Sequence, residues 1–227
     1  MSGRDAPASP TAPLPSDPAA PRAPTVIGLI LAGGHGRRMG ASAAGALPKP
    51  MVLLGGRPLA AHVAEHLRPQ VARLYVSGND ADALAPLGLP VIADALPDRP
   101  GPLAGVLAGL DLIAAQMPGA LLLTAPADAP FLPPDLAARL LAGLPEGGGP
   151  ACASSLGRRH PVVALWPVAV RGRLRALLAA GERRVGLVID LLGGAAIGWD
   201  GGTDDPFYNV NTPQELAIAR ARLAARS

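Results

Sequence analysis

Two short, uninterrupted apolar segments constrain the fold of this chain more than any other feature. The first, Val26–Leu31, runs into the pair Gly33-Gly34, and the second, Ala120–Thr124, stops just before Asp128. Apolar runs of this length that end at glycine or aspartate are typical of parallel strands buried on both faces. The sequence therefore predicts a sheet covered by helices on both sides.

Alternating strands and helices along the chain indicate an α/β fold with a mainly parallel central sheet. Further strands are predicted at residues 73–76, 90–92 and 162–166, with an edge strand at 195–199. Helices are predicted at residues 59–67, 103–116, 134–141, 168–180 and 184–192. A final helix, 212–222, opens on the capping box Thr212-Pro213-Gln214-Glu215.

Polar residues and glycines follow the predicted strands directly. Ligands of such sheets bind beyond the carboxyl ends of the strands, so we expect these residues to meet at one rim. They are Gly33, Gly34, Asn79, Asp94 and Asp128.

Composition predicts one domain with a tail. The chain has 227 residues, of which 49% are hydrophobic, enough for one sizeable core in residues 25–227. Residues 1–24 are rich in Pro and Ala, without apolar periodicity, and are expected to be disordered. No apolar run is long enough to cross a bilayer, and the N-terminus lacks a secretory pattern. We therefore expect a cytoplasmic protein without membrane contact, and the single Cys152 excludes an internal disulfide.

The charge pattern does not favour nucleic acid as a partner. The formal net charge is only +3, and aromatic residues make up 3% of the chain, too few for a base-stacking surface. A small substrate rich in phosphate explains the basic bias, and so does a general preference for arginine in the genome.

A glycine-rich turn with basic residues follows the first strand. Leu31-Ala32-Gly33-Gly34 and the later Arg38 could hold phosphates, because glycine lets backbone N–H groups approach an anion. The turn is neither a dinucleotide fingerprint nor a Walker A loop. Of 20 Lys and Arg residues only Lys49 is a lysine, and its compact ammonium differs in function from a guanidinium.

Four other polar residues are candidates for the site. Asp128, flanked by Pro126 and Pro130, is suited to bind magnesium, although a turn or cap aspartate is the alternative. Asp94 has a similar but weaker setting. Asn209 and Asn211 share one face if the chain is extended there.

His160 has two interpretations. It could act as a general base, but a structural hydrogen-bonding histidine is the favoured interpretation because it lies beside arginines.

Motifs in order along residues 26–220 resemble the molybdenum cofactor guanylyltransferases, members of the MobA-like nucleotidyltransferase family. They are Leu31-Ala32-Gly33-Gly34, Arg38-Met39-Gly40, Lys49, Gly55-Gly56-Arg57-Pro58-Leu59, Pro100-Gly101-Pro102-Leu103-Ala104-Gly105, Asp128-Ala129-Pro130-Phe131-Leu132-Pro133, Arg159-His160-Pro161-Val162, Gly181-Glu182-Arg183-Arg184-Val185 and Asn209-Val210-Asn211-Thr212-Pro213. The resemblance implies a single Rossmann-like, three-layer nucleotidyltransferase domain. It also implies transfer of GMP from GTP to the phosphate of molybdenum-molybdopterin, with Mg²⁺ as cofactor.

The resemblance also assigns roles to residues. Lys49 and Arg38 would lie along the triphosphate and, with the magnesium ligand Asp128, form the catalytic set. GTP would be bound by Leu31, Ala32, Gly33, Gly34, Lys49, Asn79, Asp94 and Asp128. Molybdopterin, or the join between the two substrates, would be bound by Gly101, Gly105, Arg183, Arg184, Asn209 and Asn211. Transient contacts with proteins that supply molybdopterin, or deliver the product to molybdoenzymes, are further expected partners.

One departure keeps alternatives open. The family's lysine usually follows the Arg-Met-Gly element within a few residues, whereas residues 41–48 intervene here. This longer loop and Lys49-Pro50 keep a sugar-phosphate nucleotidyltransferase as an alternative. A molybdopterin cytidylyltransferase, which acts on the same cofactor, is a nearer alternative. A nucleotide-binding adaptor that delivers cofactor without catalysis is a third.

Overall fold

The structure, a computed structural model, describes residues 24–33, 48–93, 101–199, 202 and 204–225. The strands are β1 Val26–Leu31, β2 Leu53–Leu54, β3 Arg57–Pro58, β4 Arg73–Ser77, β5 Val91–Ile92, β6 Leu121–Pro126, β7 Ala151–Ser155, β8 Arg158–Pro167 and β9 Ala195–Gly198. The helices are α1 Leu59–Leu67, α2 Ala81–Leu84, α3 Pro102–Gln116, α4 Leu136–Ala142, α5 Arg171–Ala179, α6 Val185–Leu191 and α7 Pro213–Ala224. The predicted tail up to residue 23 lies outside the described residues.

The central sheet has seven strands in the order β5-β4-β1-β6-β8-β7-β9. The first four are mutually parallel, β8 is antiparallel to both β6 and β7, and β9 is parallel to β7. Strand β8 alone therefore runs against the other six, which confirms the mainly parallel α/β fold. The carboxyl ends of six strands and the start of β8 lie at one rim.

Helices cover both faces of the sheet. Every residue of β1 is buried. Residues of α1 and α4 belong to one apolar cluster with one side of the sheet, and residues of α3, α5 and α6 belong to a second cluster with the other side. The core is accordingly divided into two apolar clusters by the sheet itself. This three-layer arrangement leaves the rim of the sheet as the place where polar residues can gather.

Most predicted elements are confirmed, with shifted boundaries. Helix α4 begins at Leu136 rather than Pro134, and the predicted helix 168–180 starts as a 3-10 turn before becoming α5 at Arg171. Strand β7 and the hairpin β2–β3 were not predicted. Alanine and serine dominate β7 and have low strand propensity, so pairing with β8 and β9 determines its conformation.

In the part of the chain that the structure describes, no helix is both long and apolar enough to cross a membrane.

Candidate active site

The loops after β4, β1 and β6 lie side by side at the rim. Pairing continues past the strands, since the Ala32 N–H donates to the Ser77 carbonyl at 2.9 Å and the Ala127 N–H donates to the Leu31 carbonyl at 3.1 Å. The topology therefore places Gly33, Asn79 and Asp128 at the same rim.

Three of the candidate residues lie outside the described residues. They are Gly34, Arg38 and Asp94.

A polar cluster at this rim joins three distant segments of the chain. The Lys49 ammonium donates to Asp128 Oδ2 and to Asn211 Oδ1, the latter at 2.5 Å. The side chains of Lys49 and Asp128 are only 19% and 14% exposed. The structure thus brings together two residues assigned to GTP and one assigned to molybdopterin, and we call them the Lys49–Asp128–Asn211 cluster.

Asp128 is presented by the end of the buried strand β6. Its carbonyl accepts a hydrogen bond from the Val210 N–H at 2.9 Å, which ties the main chain to the segment that carries Asn211. Its second carboxylate oxygen, Oδ1, is buried and has no hydrogen-bond partner among the described residues. Leaving such an atom unsatisfied costs about 1–3 kcal/mol, so a cation is a fitting occupant.

The donor set suits magnesium better than a metal held entirely by protein. Among the described residues, no group of three or more His, Cys, Asp or Glu side chains could hold a metal ion. Magnesium commonly takes one or two carboxylates and completes its shell with phosphate oxygens and water. A single free oxygen on Asp128 fits that requirement.

Lys49 is held in place by its neighbours in the sequence. Lys49 lies between Pro48 and Pro50 and is the first residue of a 3-10 turn, Lys49–Met51. The Met51 N–H donates to the Pro48 carbonyl at 2.8 Å. Pro50 and Met51 are buried, and the two prolines restrict the backbone on both sides of the lysine. The freedom of the ammonium is therefore limited to its side-chain rotamers.

A small apolar cluster joins the segments that carry these polar residues. It consists of Leu54, Leu59, Phe131, Val210, Leu216 and Ala219. These residues follow Lys49, follow Asp128 and flank Asn211, so one packed unit supports the whole polar cluster.

The capping box of α7 also bears on the site. The Glu215 N–H donates to Thr212 Oγ1 at 3.1 Å, which confirms the predicted cap. The Glu215 carboxylate accepts from the Asn211 N–H at 2.7 Å, one residue earlier than in the usual box. The helix start therefore fixes the backbone of Asn211 directly.

Two glycines assigned to molybdopterin have structural reasons to be glycine. Gly101 caps the N-terminus of α3 with φ of 76°, a left-handed value that favours glycine. A Cβ on Gly105 would lie 2.6 Å from Ser77 Oγ and 2.7 Å from Leu31 Cδ2, so close packing of α3 requires its absence. Their binding roles remain predictions.

The arginines between α5 and α6 are engaged with their own loop. Arg183 Nη1 donates to the Leu178 carbonyl at 2.7 Å and so caps the end of α5. The Glu182 carboxylate accepts from the Arg184 guanidinium and from the N–H groups of both arginines. Hydrogen bonds from Arg184 chiefly lower the pKa of Glu182 to about 2. Binding of an anion by Arg184 would have to compete with Glu182.

His160 makes structural hydrogen bonds, as the favoured interpretation predicted. Its Nε2 lies 2.8 Å from Ser155 Oγ, which donates to Asp205 Oδ1 at 2.7 Å. Burial lowers the pKa of the imidazole from its ordinary 6.5, a shift partly opposed by Asp205, so the ring is neutral at pH 7. Sequence reasoning missed Ser155 and Asp205, although Asp205-Pro206 is a turn-forming dipeptide just before the asparagines.

A family model and curated relatives both match this chain. The model of the MobA-like NTP transferase domain matches residues 28–190. A molybdenum cofactor guanylyltransferase of Rhodopseudomonas palustris (strain BisB5) is 46% identical over 207 residues, covering 89% of this chain and 96% of that protein. One of Cereibacter sphaeroides is 50% identical over 200 residues, covering 87% of this chain and 97% of that protein.

A solved structure agrees in fold. The molybdopterin-guanine dinucleotide biosynthesis protein A of Archaeoglobus fulgidus superposes with a TM-score of 0.66, covering 88% of this chain and 100% of that chain. Its sequence is 20% identical, so the likeness concerns the fold alone. The family model and the curated relatives go further, and this chain belongs to the MobA-like NTP transferase family, among the molybdenum cofactor guanylyltransferases.

Proposed function

We propose that this protein transfers GMP from GTP to the phosphate of molybdenum-molybdopterin, giving molybdopterin guanine dinucleotide and pyrophosphate. The curated relatives named above support the substrates, since both carry the name molybdenum cofactor guanylyltransferase. The observation that carries the proposal in this chain is the Lys49–Asp128–Asn211 cluster at the rim of the sheet.

The reaction is a displacement at phosphorus. A molybdopterin phosphate oxygen forms a bond to the α-phosphorus of GTP, the bond from that phosphorus to the β-phosphate oxygen breaks, and pyrophosphate leaves. The attacking phosphate is already ionised at neutral pH, so no general base is required. Bringing two anions together and stabilising charge on the leaving group are the main tasks.

Lys49 performs the electrostatic part of these tasks in this proposal. Its ammonium is held at the rim by two acceptors, a charged carboxylate and a neutral amide oxygen. A triphosphate at the rim offers the same ammonium a further acceptor, and a compact point charge suits phosphate oxygens from several directions. Arg38 is proposed to lie beside it.

Asp128 would hold the magnesium ion. With Oδ2 engaged by Lys49, the buried Oδ1 is the oxygen available for a cation. When bound, magnesium would neutralise phosphate charge and orient the oxygens of the triphosphate. Asp128 would thus pair with Lys49 through Oδ2 and hold the magnesium ion through Oδ1.

Asn211 would stand where the two substrates meet, since its amide contacts the lysine proposed for GTP. Leu31 to Gly34 with Asn79 and Asp94 are proposed for the guanine nucleotide. Gly101, Gly105, Arg183, Arg184 and Asn209 are proposed for molybdopterin. Cytoplasmic location and transient contacts with cofactor-supplying and cofactor-delivering proteins belong to the same proposal.

The deciding experiment is pyrophosphate release by purified protein with magnesium, molybdenum-loaded molybdopterin and, separately, GTP, CTP or ATP. We expect release with GTP only, and only when molybdopterin is present. Release with CTP would identify a cytidylyltransferase instead. Silence with all three, together with binding of GTP, would favour a sugar phosphate as acceptor or the delivery adaptor, and sugar phosphates supplied in the same assay separate these two.

A further inference from the structure

The segment from Asp204 to Asn211 has neither helix nor strand, yet it carries both asparagines of the proposed site. Without a regular backbone ladder, its conformation depends on bonds to other parts of the protein. Those bonds, together with the buried side chains of Phe207 and Val210, therefore decide where the asparagines lie.

Asp205 ties the beginning of this segment to two other elements. Its Oδ1 accepts from Ser155 Oγ of β7 at 2.7 Å and from the Phe207 N–H at 2.8 Å. Its carbonyl accepts from Arg222 Nη1 of α7 at 2.7 Å. One residue thus joins β7, α7 and its own segment.

Asp205, Ser155 and His160 form a chain of hydrogen bonds. Ser155 and His160 are 2% and 8% exposed, and His160 Nε2 lies 2.8 Å from Ser155 Oγ. Since the single hydroxyl proton goes to the carboxylate, Ser155 must accept from a protonated Nε2. The imidazole is then a donor and cannot activate the serine, so the trio is not a nucleophilic triad.

The far end of the segment is fixed at the proposed catalytic cluster. The Val210 N–H donates to the Asp128 carbonyl at 2.9 Å, and Asn211 Oδ1 accepts from Lys49. Between the two ends, Phe207 packs on His160 and on Trp199 with ring centroids 4.9 and 5.2 Å apart. Because only a few residues separate Asp205 from the asparagines, a displacement of the backbone at Asp205 should also displace Asn209 and Asn211.

We propose that Asp205 is a positioning residue, which acts through Ser155 and His160 to hold Asn209 and Asn211 at the Lys49–Asp128 end of the sheet. The expected effect of Asp205 on the position of the asparagines does not depend on the proposed function. Only the expected effect on kcat rests on guanylyl transfer. Asp205 itself contacts no member of the cluster through its side chain in the hydrogen bonds described.

Hydrogen exchange at the Val210 amide tests the structural consequence. This amide bonds to Asp128, not to Asp205, so a purely local role of Asp205 would leave it unchanged. We expect Asp205→Ala to accelerate its exchange on the order of tenfold, through loss of one well-formed hydrogen-bond network. Asp205→Asn keeps an acceptor at Oδ1 and should restore slow exchange.

Asp204→Ala is the matched control. Asp204 is the preceding acid, its side chain is 64% exposed, and it pairs with Arg222 at 3.3 Å. Unchanged Val210 exchange in folded Asp205→Ala, or equal acceleration in Asp204→Ala, would overturn the proposal. If Asp205→Ala does not fold, Ser155→Ala removes only the bridging hydroxyl, and normal Val210 exchange in that variant would contradict the proposal equally.

Steady-state kinetics test the second consequence. Misplacing the asparagines should lower kcat about tenfold to a hundredfold, while GTP binding without acceptor stays close to that of the wild type. Asp205→Asn should recover most of the rate, and a folded Asp205→Asn as slow as Asp205→Ala would show that charge rather than position matters. A wild-type protein without guanylyl transfer would reject the proposed function, while the exchange measurement would still decide this inference.

Discussion

The two sides of the site are built in different ways. Asp128 follows the end of β6, a strand that is buried along almost its whole length. This strand lies between β1, which is parallel to it, and β8, which is antiparallel. Asn211 lies on a segment without regular structure, held by single polar contacts to Asp128, Lys49 and Glu215. Apolar packing within a sheet strand thus fixes one wall of the site. The other wall combines the buried side chains of Phe207 and Val210 with individual hydrogen bonds. Substitution of Asp128 should therefore lower the reaction rate without unfolding the protein. Substitutions near Asn211 should instead shift the positions of the asparagines.

Asp128→Ala should have the largest effect. Loss of the carboxylate removes the proposed magnesium ligand and the partner of Lys49, so we expect kcat to fall by about a hundredfold to a thousandfold. The measurement is pyrophosphate release over a magnesium titration, with thermal unfolding to show that the strand is intact. Asp82→Ala, an exposed acid in the first turn of α2, is the matched control and should retain normal rates. A near-normal rate for Asp128→Ala would remove it from the proposed role.

Lys49→Arg should be nearly as damaging as Lys49→Ala. The larger planar guanidinium cannot occupy the position of an ammonium that contacts Asp128 and Asn211 together. We expect a loss of about a hundredfold in kcat/KM for GTP in either variant. Arg57→Ala removes an exposed cation that pairs with Glu65 and should change nothing. Wild-type kinetics for Lys49→Arg would show that any positive charge suffices.

Gly105→Ala should lower stability by about 1–3 kcal/mol, because the added methyl overpacks α3 against the ends of β1 and β4. Urea unfolding measures this free energy. Gly172→Ala is the control, since a Cβ there meets no atom within 4 Å and lies in helix α5. It should be neutral or stabilising by up to about 1 kcal/mol. Equal stability of both variants would mean that α3 can move to accommodate the methyl group. Ligand binding would then be the remaining explanation for a glycine at position 105.

The smallest expected effect is a pH dependence from His160. Burial lowers its pKa below 6.5, with Asp205 opposing and Arg158 adding to the shift, so the unfolded chain binds the proton more readily than the folded one. The contribution of this residue to stability is complete above pH 6.5 and declines as the pH falls below that value. Urea unfolding of wild type and His160→Gln should show a shallower decline for the variant. A parallel decline in both would place the acid sensitivity elsewhere.

Local pattern was sufficient for much of the fold. The apolar runs before Gly33 and Asp128 predicted β1 and β6, and the threonine cap predicted the start of α7. Strand β7 escaped prediction because its alanines and serines carry no strand preference of their own. The hairpin β2–β3 escaped because each strand has only two residues, too few for a period to be visible.

The same limit applies to the site. Residue type and the family motifs placed Lys49 and Asp128 together in the predicted GTP and catalytic set. The asparagines were assigned to molybdopterin or to the join between the two substrates, without a contact to the lysine. Asp205 and Ser155 gave no comparable signal, because their importance lies in a contact across 50 residues of chain. Hydrogen-bond partners of that separation leave no local pattern.

By itself, then, the sequence determined the layered α/β fold, the family and the residues able to carry charge chemistry, because apolar periodicity, caps and motifs are local properties. The tertiary structure alone decided that Lys49 meets Asp128 and Asn211, which lie 79 and 162 residues further along the chain. It also decided that Oδ1 of Asp128 stays unpaired among the described residues, and that a buried serine, itself bonded to a buried histidine, donates to Asp205 in the segment of the asparagines. Long-range contacts of this kind depend on how strands are ordered in the sheet, and no single stretch of sequence encodes that order.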